Sequence, residues 1–274
     1  MDGSHADTTD LPGLDEELDL MAGLARQAGA MALDHFGGDN LDVRLKDGES
    51  PVTKVDYAVD DLLRQGLLAA RPTYGWLSEE TADTDIAHRR NAPRTFIVDP
   101  LDGTRAFIEG HEVWCVSIGL VENGRPVAGI LECPAVGETI TATLGCGAFV
   151  NGESIGTGPL RDEPLIGGPR ALVDRLKASG TAAARRHPHV PSLAYRLAMV
   201  ARGAMDATFV KPFAADWDIA AAALILTEAG ALFTDGAGQP VVMNGTDPLK
   251  GTLIACHRGL QQSMVGVVAG LSFR

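Results

Sequence analysis

The sequence predicts a chain that mixes helices with strands, α+β in its first half and α/β in its second. Three observations lead to this fold class. Two segments with helical spacing precede a run of β-rich segments. Asn123-Gly124 stands between two of those segments, which is the signature of an antiparallel hairpin. Farther along, helical and strand-like patterns alternate, as they do in α/β layers.

The first half begins with helices and continues with strands. Two glycines end the first helical pattern, and an arginine-proline pair ends the second. The predicted elements are helices over residues 14–36 and 56–70 and strands over residues 75–78 and 94–98. The segments VWCVSIGLVENGRPVAGILECP and ETITATLGCGAFVNGESI follow. Together these elements predict two helices packed on a largely antiparallel sheet.

The second half changes character. Helices are predicted in SLAYRLAMVARGAMDA, WDIAAAALILTEAG and GLQQSMVGVVAG, with the strands ALFTD and TLIAC between them. A stretch rich in glycine and proline, residues 151–169, separates the two patterns. We therefore expect an N-terminal α+β half over residues 1–155, with most of the candidate ligands, and a C-terminal α/β half over residues 156–274.

Composition and charge exclude several classes of protein. The 274 residues are 45% hydrophobic, which is typical of a globular chain. The formal net charge is -13 and lysines or arginines form no run, so we expect neither nucleic acid nor a membrane as a partner. The most apolar stretch, residues 219–233, includes Glu228 and is too short to span a bilayer.

The chain start and the cysteines predict a cytoplasmic protein. No basic start with an apolar core precedes a small-residue cleavage site, so we expect no signal peptide. The four cysteines show no CxxC pairing and are predicted to be buried free thiols. The histidines show no metal-binding spacing, and the HPH segment, residues 187–189, is predicted to be a surface loop.

Two carboxylates stand at the end of a predicted buried strand, in FIVDPLDGTRAF. The proline after Asp99 keeps that residue extended, and the following bend can turn the Leu101 carbonyl and the Asp102 carboxylate to one side. Carboxylates this close repel each other unless a cation or a proton lies between them. Gly103 and Thr104 begin a short predicted helix, whose free amides favour an anion. The pattern indicates a metal-bridged phosphate, and an acidic turn that merely closes a strand is the alternative.

Three other segments place acids at similar positions. WLSEE ends a predicted strand on Glu79 and Glu80. SPVTKVD puts Asp56 at the entry of the second helix, and DWD puts Asp218 in the first turn of an apolar helix. Each acid of the last two segments also has an ordinary explanation as a helix cap or as a charge at the helix dipole.

Taken together and in order, these segments resemble the inositol monophosphatase superfamily of magnesium-dependent, lithium-sensitive phosphatases. The resemblance starts at Lys46 and SPVTKVD and continues through SEE, VDPLDGT, GCGAFVNG and DWDIAAAALILTEAG. It implies a layered αβαβα sandwich and a phosphoric monoester hydrolase that uses two or three Mg²⁺ ions. It also implies a homodimer that acts on a small phosphorylated metabolite.

The resemblance also assigns roles to individual residues. The implied metal ligands are the carboxylates of Glu79, Asp99, Asp102 and Asp218 and the carbonyl of Leu101. Glu79 and Thr104 would orient the attacking water, and Asp56 would support Thr104. Asp102 and the amides of Gly103 and Thr104 would hold the phosphate, and Lys46 would lie near it as a substrate-binding residue.

The substrate is less well determined than the reaction. Inositol-phosphatase members commonly have a glutamate seven residues before the WD aspartate, whereas this chain has Lys211 there. A lysine suits a second anionic group on the substrate, unless it faces solvent. The sequence therefore predicts an inositol monophosphatase-like phosphatase, with a 3'(2'),5'-bisphosphate nucleotidase or a histidinol-phosphate phosphatase as alternatives. A regulatory binding protein in RNA synthesis is a further alternative from another class.

Overall fold

The computed structural model describes residues 11–38, 43–46, 50–180 and 183–270. The helices in these ranges are α1 (Leu14–Leu33), α2 (Lys54–Ala70), α3 (Ile86–Asn91), α4 (Thr104–Ile108), α5 (Arg170–Ala178), α6 (Leu193–Ala201), α7 (Asp216–Glu228) and α8 (Gln261–Ala269). The strands are β1 (Arg44–Lys46), β2 (Ser50–Val52), β3 (Gly75–Ser78), β4 (Thr95–Asp102), β5 (Cys115–Glu122), β6 (Arg125–Cys133), β7 (Glu138–Thr143), β8 (Gly147–Val150), β9 (Glu153–Ile155), β10 (Leu165–Gly167), β11 (Arg185–Arg186), β12 (Ala207–Val210), β13 (Leu232–Asp235) and β14 (Leu253–Cys256).

The first large sheet holds seven strands in the order β3-β4-β5-β6-β7-β8-β9. β3 pairs with β4 in parallel, and the other neighbouring strands pair antiparallel. The hairpin between β5 and β6 turns through Asn123 and Gly124, which have positive φ values of 51° and 78°. A two-residue turn with both φ values positive matches the twist of the flanking strands. The predicted antiparallel sheet and its hairpin are confirmed.

The second large sheet holds five strands in the order β11-β10-β12-β14-β13. β10 pairs in parallel with both of its neighbours, whereas β14 pairs antiparallel with both of its own. The predicted strands ALFTD and TLIAC correspond to β13 and β14.

The two sheets and the helices form five layers. α1 and α2 cover the outer face of the first sheet, and α6 and α7 lie between the sheets. α5 and α8 cover the outer face of the second sheet. The predicted αβαβα sandwich is therefore confirmed.

Helix α7 lies directly on two glycines of the first sheet. Gly119 and Gly129 are opposite each other on β5 and β6. A Cβ built on Gly119 would lie 2.7 Å from Cβ of Ala220, and one on Gly129 would lie 2.8 Å from the Ala221 carbonyl oxygen. Only glycines allow the alanine-rich helix this close, because any side chain would overlap it. The contact holds the start of α7 against the sheet.

Some predictions from the sequence need correction. The helix predicted to continue to Ala207 ends at Ala201, because Gly203 has a φ of 70° and breaks the helical path. Cys146 is exposed in the turn between β7 and β8, whereas the other three cysteines are free and buried as predicted. Helices α3 and α5 were not predicted. Across the part of the chain that the structure describes, no helix combines the length and the apolar character that crossing a membrane requires.

Candidate active site

A cavity of about 330 Å³ lies where β3 and β4 end and α7 begins. Three segments that are distant in sequence meet there, and we call it the carboxylate cavity. Its lining includes Glu79, Asp99, Leu101, Asp102, Gly103, Thr104 and Asp218. The structure thus brings together all five predicted metal-ligating residues and the two residues whose amides are predicted to bind phosphate.

Asp99 is the most confined of these acids. Its side chain is buried at the end of β4, and its Oδ1 accepts a hydrogen bond of 2.9 Å from the Leu101 amide. Burial raises the pKa of the Asp99 carboxyl well above its ordinary value. The negative charges of Glu79, Asp102 and Asp218 raise that pKa further. A cation among these carboxylates would lower that pKa again, because it favours their charged forms.

Asp102 is held by the beginning of α6, ninety residues farther along the chain. Its Oδ2 accepts hydrogen bonds from the Ser192 hydroxyl at 2.5 Å and from the Ala194 amide at 2.6 Å. Its Oδ1 accepts one from the Leu193 amide at 3.2 Å. Burial raises the pKa of Asp102, and these hydrogen bonds oppose the rise. The central layer therefore fixes the orientation of an acid that belongs to the first sheet.

The two acids of the DWD segment have different surroundings. Asp216 is buried and forms an ion pair of 2.7 Å with Lys250. Asp218 is half-buried, and its Oδ2 caps the helix by accepting a hydrogen bond of 2.7 Å from the Ala215 amide. Burial, followed by the charge of Asp102, raises the pKa of Asp218 to about 8. Asp216 thus has a structural partner, whereas Asp218 faces the other acids.

Asp56 contacts Thr104, the residue that the family resemblance implies it supports. The Thr104 hydroxyl lies 3.2 Å from Asp56 Oδ1 and 3.0 Å from the Leu101 carbonyl oxygen. Asp56 Oδ2 accepts hydrogen bonds from the Thr53 amide at 2.8 Å and from the Thr53 hydroxyl at 2.6 Å. These bonds form a capping box at the start of α2, so the cap also fixes the carboxylate beside Thr104.

Gly103 turns the chain from β4 into α4. Its φ of 99° lies in the left-handed region, and a Cβ there would come within 3.1 Å of the Val113 carbonyl oxygen. Glycine is therefore required on both conformational and steric grounds. The turn brings the Gly103 and Thr104 backbone to the wall of the cavity, beside the carboxylates.

The donor set fits a hard divalent cation. All the side chains that raise the pKa of Asp99 are carboxylates, which are ligands that Mg²⁺ prefers. Within the described ranges, however, no three His, Cys, Asp or Glu side chains are gathered around one point as ligands of a single ion. The carboxylates thus share a cavity, and their coordination of a metal stays a prediction.

The predicted substrate-binding lysines lie elsewhere. Lys211 is exposed and lines a second cavity, which shares His189 with the carboxylate cavity. The backbone of Lys46 belongs to β1, but its side chain lies outside the described part of the structure. The HPH segment is a loop, as predicted, and it also lines the second cavity.

Sequence reasoning missed Ser192 and Arg196. Ser192 caps α6 by accepting a hydrogen bond of 3.0 Å from the Tyr195 amide, in addition to holding Asp102. A serine immediately before an apolar helix is a recognisable cap signal. Arg196 is the one charged residue of LAYRLAMVA, and a lone charge within an apolar helix could have drawn attention to it.

Comparisons with known proteins agree with this geometry. The sequence matches the model of the inositol monophosphatase family over residues 14–269. The chain belongs to this family. An inositol-1-monophosphatase from Rhizobium meliloti is 33% identical over 262 residues, which cover 87% of this chain and 90% of that protein. A histidinol-phosphatase from Chlorobaculum parvum is 29% identical, over 92% of this chain and 96% of its own.

The fold of the inositol monophosphatase family is also found in solved structures. The structure of an IMPase from Thermotoga maritima has a TM-score of 0.78 and 27% identity, over 93% of this chain and 97% of that one. As a member of the inositol monophosphatase family, the protein is a metal-dependent phosphatase that hydrolyses phosphate monoesters.

Proposed function

We propose that this protein hydrolyses a small phosphate monoester with Mg²⁺ at the carboxylate cavity. The observation that supports this most directly is the cavity itself, whose lining brings the carboxylates of Glu79, Asp99, Asp102 and Asp218 together. Bringing several acids together destabilises a folded protein unless a cation neutralises them. An acid cluster at the ends of two strands therefore makes sense as a cation site.

The proposed ligands are the carboxylates of Glu79, Asp99, Asp102 and Asp218 and the carbonyl of Leu101. Two or three Mg²⁺ ions bound there would supply Lewis-acid chemistry, which lowers the pKa of water and neutralises phosphate oxygens. Asp102 would meet the phosphate only across such a cation, because both groups are negative.

The other residues of the cavity orient the reactants. Glu79 and Thr104 position the attacking water, and Asp56 accepts a hydrogen bond from the Thr104 hydroxyl, at 3.2 Å. With its proton directed at Asp56, the Thr104 hydroxyl has a lone pair left to accept a hydrogen bond from the water. The amides of Gly103 and Thr104 donate to phosphate oxygens. Lys46 and Lys211 contact the substrate.

We propose inositol monophosphate as the type of substrate, with histidinol phosphate and a 3'(2'),5'-bisphosphate nucleotide as alternatives. Relatives named inositol-1-monophosphatase and histidinol-phosphatase support the first two. The cationic Lys211, on a cavity next to the carboxylates, supports the third.

A phosphate-release panel tests this function. The substrates are inositol 1-phosphate, histidinol phosphate, 3'-phosphoadenosine 5'-phosphate and fructose 1,6-bisphosphate, each with Mg²⁺, with EDTA and with added Li⁺. We expect release from at least one of them with Mg²⁺, none with EDTA, and inhibition by Li⁺. Full activity in EDTA would contradict the role of the metal.

We also propose a division of the chain into halves, a localisation and an oligomeric state. We propose halves over residues 1–155 and 156–274, which the end of the first sheet at Ile155 supports. We also propose a cytoplasmic homodimer. The mass in solution at micromolar concentration tests the dimer, and a monomer would refute it.

A further inference from the structure

The second cavity, of about 360 Å³, is basic, although the chain as a whole is acidic with a net charge of -13. Its walls come from β11 and the loop after it, from the first turn of α6, and from the segment after β12. The basic side chains that line it are Arg186, His187, His189, Arg196 and Lys211. Among the described residues that line it there is no aspartate or glutamate. We call it the basic cavity.

Arg196 is half-buried in the wall, on α6, whereas Arg186, His189 and Lys211 are exposed and only His187 is buried to a similar degree within this group. Its Nε is buried without a hydrogen-bond partner, and in the described ranges no ion pair links its guanidinium to a carboxylate. Burial lowers the pKa of Arg196, and the charge of Asp102 only partly offsets this. A cation withdrawn from water without a partner is unfavourable, so the arrangement calls for an anion.

Other arginines that are withdrawn from water show what a satisfied arginine looks like in this protein. Each of three meets a carboxylate: Arg89 with Asp83 at 2.8 Å, Arg94 with Glu122 at 2.7 Å and Arg202 with Glu138 at 2.7 Å. The fold thus supplies a counter-ion where an arginine has a structural role. Arg196 has no such counter-ion among the described residues and faces a cavity instead.

We propose that the basic cavity binds a second anionic group of the substrate, a phosphate or a carboxylate on its leaving group, and that Arg196 determines this specificity. The inference rests on the proposed function, because the scissile phosphate must occupy the carboxylate cavity. The two cavities share His189, so a leaving group that begins at the first reaches the second. A guanidinium donates two parallel hydrogen bonds to a phosphate or carboxylate, which an exposed lysine does not.

A neutral polyol would leave the Arg196 guanidinium without a counter-ion. Sites built to pair with a polar group reject an analogue that lacks it more strongly than apolar pockets reject a missing methylene. Arg196 therefore contributes to specificity more than Lys211 does, since Lys211 lies exposed to water and its charge is screened.

Two matched substrate pairs test the proposal with Mg²⁺ present. The pair 3'-phosphoadenosine 5'-phosphate and adenosine 3'-phosphate differs only in a second phosphate. The pair 2-phosphoglycerate and glycerol 2-phosphate tests a carboxylate. The measured quantity is the ratio of kcat/KM for the member with the second anionic group to kcat/KM for the member without it. It is determined for wild type, Arg196→Met, Arg196→Lys and the control Arg26→Met. Arg26 lies exposed on α1, so its substitution changes the net charge equally.

We expect the wild-type ratio to exceed one in at least one pair, and that pair identifies the anion as phosphate or carboxylate. Arg196→Met should lower the ratio by roughly tenfold or more, because a hydrogen bond to a charged group is lost. Arg196→Lys should retain part of the ratio, and Arg26→Met should retain all of it. The affinity for adenosine 5'-phosphate, measured by calorimetry in EDTA, should weaken to a similar extent in Arg196→Met. This measurement does not depend on catalysis.

Three results would overturn the inference. They are a wild-type ratio of one in both pairs, an unchanged ratio in Arg196→Met, and equal binding of adenosine 5'-phosphate by wild type and Arg196→Met. If Arg196 served only as a counter-charge to Asp102, its substitution would change kcat/KM for both substrates of a pair by the same factor, and their ratio would stay the same. Failure of the proposed function looks different. In that case no substrate releases phosphate, and adenosine 5'-phosphate still reports on the basic cavity.

Discussion

Asp99→Asn tests two expected effects of this carboxylate: it supports metal-dependent activity, and its charge lowers the stability of the metal-free protein. Asparagine keeps an oxygen that can accept the 2.9 Å hydrogen bond from the Leu101 amide, and it keeps nearly the same volume at a buried position. It removes the negative charge. The variant should therefore lose activity and metal binding, yet become more stable than wild type when no metal is present.

The magnitude follows from the charges around Asp99. Two unit charges ~5 Å apart interact by about 3 kcal/mol at an effective dielectric constant of ~20. Burial and the neighbouring carboxylates raise the pKa of Asp99, which makes its charged form less populated, so we expect only part of this repulsion, about 1–2 kcal/mol. At roughly 2–4 °C per kcal/mol for a chain of this size, the metal-free melting temperature at pH 8 should rise by roughly 2–8 °C.

The assay has two readouts, melting temperature with EDTA or Mg²⁺ and phosphate release with Mg²⁺. Losing a metal-ligating charge should remove about 3 kcal/mol of transition-state stabilisation, or roughly a hundredfold in rate. Asp61→Asn, on an exposed position of α2, is the matched control and should change neither. An Asp99→Asn protein with nearly wild-type turnover, or with a lower metal-free melting temperature and normal stabilisation by Mg²⁺, would refute the reasoning.

Three other predictions test neighbouring features. Ser192→Ala removes the hydroxyl that donates to Asp102 at 2.5 Å and caps α6, so urea denaturation should show a loss of about 2 kcal/mol. The pKa of Asp218 is raised to about 8, so its folded carboxyl holds a proton that the unfolded chain has lost. Metal-free stability should therefore fall as the pH rises from about 4 to about 8, and the stabilisation by Mg²⁺ should be greater at pH 8 than at pH 6. Lys211→Glu should lower kcat/KM on 3'-phosphoadenosine 5'-phosphate relative to inositol 1-phosphate by roughly fivefold, with a smaller gap at high salt.

The elements with strong local signals were predictable from the sequence. The strand at residues 75–78 matches β3 in the structure, and Asn123-Gly124 forms the predicted turn. Helix α5 was missed because only three of its nine residues, Leu172, Val173 and Leu176, are buried. A short helix with so few apolar positions derives its stability mainly from packing on α8 and the second sheet, which sequence periodicity does not show.

Some residues of the candidate site were likewise predictable from local sequence signals, and others were not. The acids at strand ends and at a helix start were predictable, because each interrupts or ends an apolar pattern in its own segment. The contact of Ser192 with Asp102 was not, because it joins positions ninety residues apart. The basic side chains of the second cavity come from a strand and the loop after it, from a helix and from the segment after another strand. No local pattern relates Arg196 to Lys211, so only the fold brings them together.

The carboxylate cavity depends on packing between the layers more than on its own loops. Glu79, Asp99 and Asp102 lie at the ends of first-sheet strands, whereas Asp218 is on α7. The distance of Asp218 from the others is set where α7 lies against glycines of β5 and β6. The direction of Asp102 is set by α6, which also carries Arg196. One helix of the central layer therefore orients a proposed metal ligand and supplies the proposed anchor for the leaving group. If both proposals hold, the distance between the two substrate anions is set by the positions that α6 gives to Asp102 and Arg196.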